Sequence, residues 1–206
     1  MAWDYVYTDG YPGWSLYGPE QSNNAQLAMT RFAKSKRQTG MTKSAAAGII
    51  GNFTWESGLN PGQWEHGYNQ SPSSGFGLAQ WTPSTKYTNW LGSTDPDEMS
   101  DGDNQIDFLL ANNPNQWSTY FVDMNTGYSS YYNVTVPILP TIEDYYSSTD
   151  DPQTLAVAWM VYWERGNALY AHFDERKDYA QYWYDNLDFN AVPIWLLCKA
   201  AQEWRL

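Results

Sequence analysis

The run PQTLAVAWMVYW, residues 152–163, leaves the chain few architectures: it is twelve residues long and carries no charge. Asp151 can cap it, Pro152 suits a first helical position, and Gly166 follows as a stop, so it predicts one helix. A helix that is apolar nearly all round is stable only when other elements enclose it. The run therefore predicts a buried central helix in a mainly α, single-domain fold.

The other punctuation agrees. Thr42 caps a helix through Ser57 that stops at Gly58 and Pro61, and within it Gly48 and Gly51 are small enough to admit a neighbouring backbone. A helix from Asn23 or Asn24 to Gly40 turns Leu27, Phe32 and Ala33 inward. Further helices are expected at TPSTKYTNWLG (Thr82 as cap), DGDNQIDFLLANN, QWSTYFVDM and HFDERKDYAQYWYDNL, with an irregular segment over residues 58–81. The expected organisation is an arm over residues 1–22, a domain over residues 23–189 and a tail over residues 190–206.

Eleven Lys and Arg stand against 23 Asp and Glu, a net charge of −12. Such a chain lacks the cationic face that binds phosphate backbones, which excludes a nucleic-acid partner. With 12 Trp and 17 Tyr, rings are available both for a core and as platforms for an amphipathic ligand such as a sugar. The single cysteine, Cys198, excludes an internal disulfide framework. No apolar stretch is long enough to span a membrane, and the first residues, MAWDYVYTDGYPGW, do not read as a signal peptide.

Glu56 is the residue that calls for chemistry. Ile49, Phe53 and Glu56 are spaced four and three apart and share the core-facing stripe of their helix. An apolar stripe and the negative end of the helix dipole both disfavour a carboxylate, which predicts a raised pKa. A carboxyl kept protonated near neutral pH can act as a general acid. Spacing alone favours a surface or capped glutamate at a helix end.

The residues C-terminal to Glu56 narrow the choice. ESGLNP (56–61), then GFGLAQW (75–81), then VYWERGN (161–167) resemble, in order, the signatures of the phage tail lysozyme family. That family is related to goose-type lysozymes and soluble lytic transglycosylases. The resemblance covers residues from about 23 to 187. It implies a lysozyme-like α-helical domain with a small irregular or β segment lining a cleft. It implies the cleavage of the β-1,4 linkage of peptidoglycan, with Glu56 as the acid and no cofactor or metal. By the same resemblance, Gly77, Leu78, Ala79 and Gln80 line the cleft, Trp81 walls it, Tyr162 lies at substrate, and Glu164 is the acidic residue closing the buried helix. Gly166 directly follows Arg165 where relatives often carry a proline first. The implied setting is a phage tail tip, with other tail proteins as partners, or release onto the bacterial wall.

A second carboxylate would distinguish direct attack from activation of water. Glu65, in GQWEHGY, is the preferred candidate, with Glu164, Asp101 and Asp103 beside it; each also fits a purely structural or exposed role. A lytic transglycosylase needs only the one acid. Two other classes remain open here. A zinc amidase would draw on His66, His172 and Cys198, although their spacing is loose, and a binding-only tail protein would need no acid at all.

Overall fold

The computed structural model describes residues 2–11, 13–67 and 70–189, so the expected tail and Cys198 lie outside the described residues. Its architecture is mainly helical. Helices α1 (Pro19–Thr39) and α2 (Lys43–Ser57) are followed by the irregular segment, then α3 (Thr85–Leu91), α4 (Pro96–Met99) and α5 (Gly102–Gln116). After a second irregular stretch come α6 (Ile142–Ser147), α7 (Pro152–Trp159) and α8 (Phe173–Asn186). The strands are two-residue pairs: β1 (Thr8–Asp9) lies parallel to β2 (Gln63–Trp64), and β3 (Tyr128–Ser129) antiparallel to β4 (Val134–Thr135).

The centre is α2 rather than the helix of residues 152–163. It packs against α8, α7 and α1, and residues 45–54 are all buried. The glycines explain how. A Cβ at Gly51 would lie 2.8 Å from Ala180 Cβ and from Arg176 O, and one at Gly48 would lie 3.1 Å from Ala156 N. Backbone of α8 and α7 thus rests directly on α2, the approach the two glycines allow. Gly51→Ala is expected to destabilise by about 1–3 kcal/mol, since overpacking outweighs the ~1 kcal/mol that alanine gains in helix propensity. A melting temperature at or above the wild type would contradict this close approach.

Several boundaries differ from expectation for identifiable reasons. Helix α1 starts at Pro19, inside the expected arm, with Glu20 in its first turn, both favourable there. Its buried stripe runs through Ala25, Ala28, Met29 and Phe32, so of the three residues expected inward only Phe32 is fully buried. Helix α3 starts at Thr85, three residues after the expected cap, and Ser84 N–H before it is bound by Ser74 O. No helix forms over residues 117–124. There Trp117 stacks on Tyr162 at 4.8 Å and donates Nε1–H to Leu139 O, so tertiary contacts override the local pattern. Helix α6, not expected, carries a Thr141/Asp144 capping box.

The 152–163 run is helical but changes pitch. From Met160 to Glu164 it winds as a π-helix, and Arg165, at φ 54°, ends it before Gly166. The arm is docked on the domain. Asn60 exchanges hydrogen bonds with the backbone of Val6, at 3.0 Å to its N and 2.8 Å to its O, and Trp3 Nε1–H reaches Asp103.

Candidate active site

Glu56 lies on the last turn of α2, and its surroundings correct the expectation of apolar neighbours. Arg176, from the first half of α8, places Nη2 at 2.5 Å from Glu56 Oε1. The arginine side chain is 2% exposed and the glutamate 21%. Arg176 also donates Nη1–H to Asn52 Oδ1 at 2.7 Å and Nε–H to Ala171 O at 2.8 Å. Each nitrogen of the guanidinium therefore has an acceptor, as burial of a charge requires. The close seating of α8 on Gly51 brings Arg176 within reach. Sequence reasoning passed over Arg176, although Arg176, Ala180 and Trp183 form the buried stripe of α8. A lone arginine on such a stripe signals a buried ion pair, although the stripe does not say with which carboxylate.

Glu164 is the second carboxyl of the cluster. The π-helical turn carries it to the helix end, half-buried, where Oε1 accepts from Trp159 Nε1–H at 3.3 Å. π-turns of this kind recur at functional sites. Burial and then the nearby charge of Glu56 hold its carboxyl well above the ordinary value of 4.5, while Arg176 and the Trp159 hydrogen bond pull the other way. The carboxyl pushed toward its protonated form is thus Glu164. The stability from its raised pKa is full below about pH 4.5 and is lost as pH rises toward the folded-state value. Glu164→Gln keeps the acceptor for Trp159 and removes the titration. Its stability relative to wild type is expected to improve steadily from pH 4 to pH 7, measured by denaturant unfolding; a pH-independent difference would contradict the burial argument.

Two cavities meet over this cluster. One, of about 310 Å³, is lined by Glu56, Glu65, His66, Gln63, Gln80 and Tyr11 among others. The other, of about 420 Å³, runs past Ala79, Gln80, Trp81, Trp90, Asn115 and Glu164. Gln80 and Thr82 belong to both, so the two form one groove with Glu56 toward one part and Glu164 toward the other. The amide-rich end of α5, with Asn112, Asn115 and Gln116, lines the second part and offers the hydrogen-bonding groups a polyhydroxylated ligand needs. It was not foreseen, nor was Trp90.

The glycine-rich turn is built to hold still. Gly77, at φ 79°, leaves no room for a side chain, because a Cβ there would lie 2.5 Å from Gln105 Oε1. Leu78 N–H donates to that same oxygen at 2.8 Å, and Ser57 Oγ ties Leu78 O to the end of α2. Gln80 Nε2 donates to Gly77 O and Gln63 O. Of the residues expected to line the cleft, Ala79, Gln80 and Trp81 do so. Gly77 and Leu78 are buried beneath the turn, and Leu78 is fully enclosed. Tyr162 is likewise a core residue, stacked on Trp117 with its hydroxyl donating to Pro137 O at 3.0 Å.

Glu65 faces the same cavity as Glu56, and its Oε2 accepts from Gly75 N–H at 2.8 Å. Asp101 instead binds Asp103 N–H at the start of α5, and Asp103 accepts from Trp3; neither lines the groove. Of the amidase set, Cys198 lies outside the described residues. His66 lies in the groove wall, His172 stacks on Trp55 at 4.0 Å, and among the described residues no group of three or more His, Cys, Asp or Glu could hold a metal.

A mainly helical domain with a groove over two carboxyls and a buried arginine is of the lysozyme-like class. Comparison with known proteins makes this specific. The profile of the phage tail lysozyme family matches residues 23–187, and the chain belongs to that family. It is also 31% identical over 175 residues to Morphogenesis protein 1 of Bacillus phage B103, a match covering 81% of this chain and 42% of that protein. The chain thus spans less than half the length of that relative. Among the described residues, no helix is long and apolar enough to cross a membrane.

Proposed function

We propose that the chain is a muramidase that cuts the β-1,4 bond between N-acetylmuramic acid and N-acetylglucosamine in peptidoglycan, with Glu56 as general acid. The observation that carries this reading is that Glu56, paired with the buried Arg176, and Glu164 both line the groove made by the two adjoining cavities. Arg176 pairs with Glu56, while burial and then the charge of Glu56 push the carboxyl of Glu164 toward its protonated form. A strand lying in the groove excludes water from Glu56. In its protonated form Glu56 gives its proton to the glycosidic oxygen as the bond to the leaving sugar breaks. Glu65, facing the same cavity, then accepts the proton of the attacking water.

A second reading has its own support. Glu65 already braces the loop through Gly75, and with no free base the 6-hydroxyl of the muramic residue would attack instead, as in a lytic transglycosylase. The mass of the soluble fragments separates the two. Reducing muramic ends support hydrolysis, anhydro-muramic ends support the transglycosylase, and cuts confined to the peptide stems contradict both. Intact glycan from several wall types would leave a binding-only tail protein.

Family membership and the phage relative support a setting in the virion tail, where local wall digestion opens a path for the tail, or release onto the wall from outside. A net charge of −12 opposes approach to anionic wall polymers. Activity is therefore expected to rise about two- to fivefold from 10 to 150 mM salt as repulsion is screened. A steady fall over that range would contradict electrostatic repulsion as the limit on encounter.

A further inference from the structure

A cavity of about 360 Å³ adjoins the groove and is walled by Tyr11, Trp14, Leu16, Trp55 and Tyr179. No charged side chain lines it. Tyr11 is a wall of this cavity and of the one holding Glu56, so the two adjoin across its ring. Its hydroxyl donates to Trp55 O at 2.8 Å, which fixes the ring between them. Trp55 comes next, held from behind by its stack on His172. Tyr11 is 63% exposed and Leu16 52%, and they cluster on one rim rather than lying scattered. Three of the walls, Tyr11, Trp14 and Leu16, come from the arm and lie outside the family match.

The geometry points to a saccharide subsite here, in which a neutral N-acetylhexosamine ring of the strand passing Glu56 seats against Tyr11 and Trp14. The inference rests on the glycan reading above. A pyranose presents an apolar C–H face to an aromatic ring and keeps its hydroxyls at the edge, which suits an uncharged cavity open to water. A peptide stem carries carboxylates and amines that would find no partner on these walls. The arm thereby lengthens the stretch of strand held and sets a preference for longer glycans.

Calorimetric binding of the N-acetylglucosamine hexamer to the Glu56→Gln variant tests this without requiring cleavage. Adding Trp14→Ala is expected to weaken binding about 3- to 10-fold, the worth of one stacked aromatic, and Trp14→Phe should restore most of it. Equal affinity with Trp14→Ala, or no hexamer binding by Glu56→Gln itself, overturns the subsite. The Phe variant separates a lost ring from a misfolded arm. Were the wild type to leave glycan uncut while Trp14→Ala still weakened the hexamer, the muramidase reading would fall and the subsite would stand. Cleavage by the wild type with unaltered hexamer affinity would do the reverse.

Discussion

Glu56→Gln is expected to lower the rate of glycan cleavage by about 10²–10⁴-fold, the usual worth of a positioned general acid. The amide cannot deliver a proton, yet its oxygen can still accept from Arg176 at the position now held by Oε1. The fold is therefore retained at a cost of about 1–3 kcal/mol, that of weakening one charged hydrogen bond. Binding of strands should change far less than turnover, because the groove walls at Gln80, Trp81 and Trp90 are untouched. Loss of rate with a preserved thermal transition is the signature of a chemical role. A variant that simply unfolds would instead show Glu56 as a structural anchor for Arg176.

Arg176→Met should give the largest loss of stability. The substitution fills the space of the alkyl stem but leaves Glu56 without its cation, and Asn52 Oδ1 and Ala171 O without their donors. Breaking a buried pair from one side costs about 3–5 kcal/mol. Because Glu56 keeps some access to water, the lower end of that range is expected. For a domain of this size it corresponds to a fall of about 6–12 °C in Tm. Arg176→Lys keeps the charge but lacks the planar fork that spans three acceptors, so a loss of about 1–2 kcal/mol is expected. Adding Glu56→Gln to Arg176→Met should recover part of the loss, since the stranded charge is gone. Strict additivity of the two substitutions would show that the pair is not coupled.

The α-rich fold was legible because its helices carry their own punctuation. Thr42 and Gly58 bound α2, Asp151 and Pro152 start α7, and the Gly48 and Gly51 spacing announced the close approach of other backbones. Where tertiary contacts outweigh local preference, reading failed. Trp117 leaves a helical pattern to stack on Tyr162, and the 152–163 run shifts into a π-turn that no residue pattern marks.

The site was half legible for the same reason. Glu56 stood out as a charge on an apolar stripe, and the family resemblance put Glu164 and the glycine turn beside it. That Arg176 joins them depends on how α8 crosses α2, which helix periodicity does not encode. The state of the carboxyls followed from that crossing too. The cation meets Glu56, and burial raises the carboxyl of Glu164. Asn60, within the signature run, proves to be the clamp for the arm at Val6 rather than part of the groove.

The most direct test is mass spectrometry of the fragments released from purified peptidoglycan by the wild type and by Glu56→Gln at equal concentration. The account predicts disaccharide-based fragments ending in muramic residues from the wild type, and at least about a hundredfold less of them from the variant. Glycan fragments released by Glu56→Gln at the wild-type rate would contradict Glu56 as the acid.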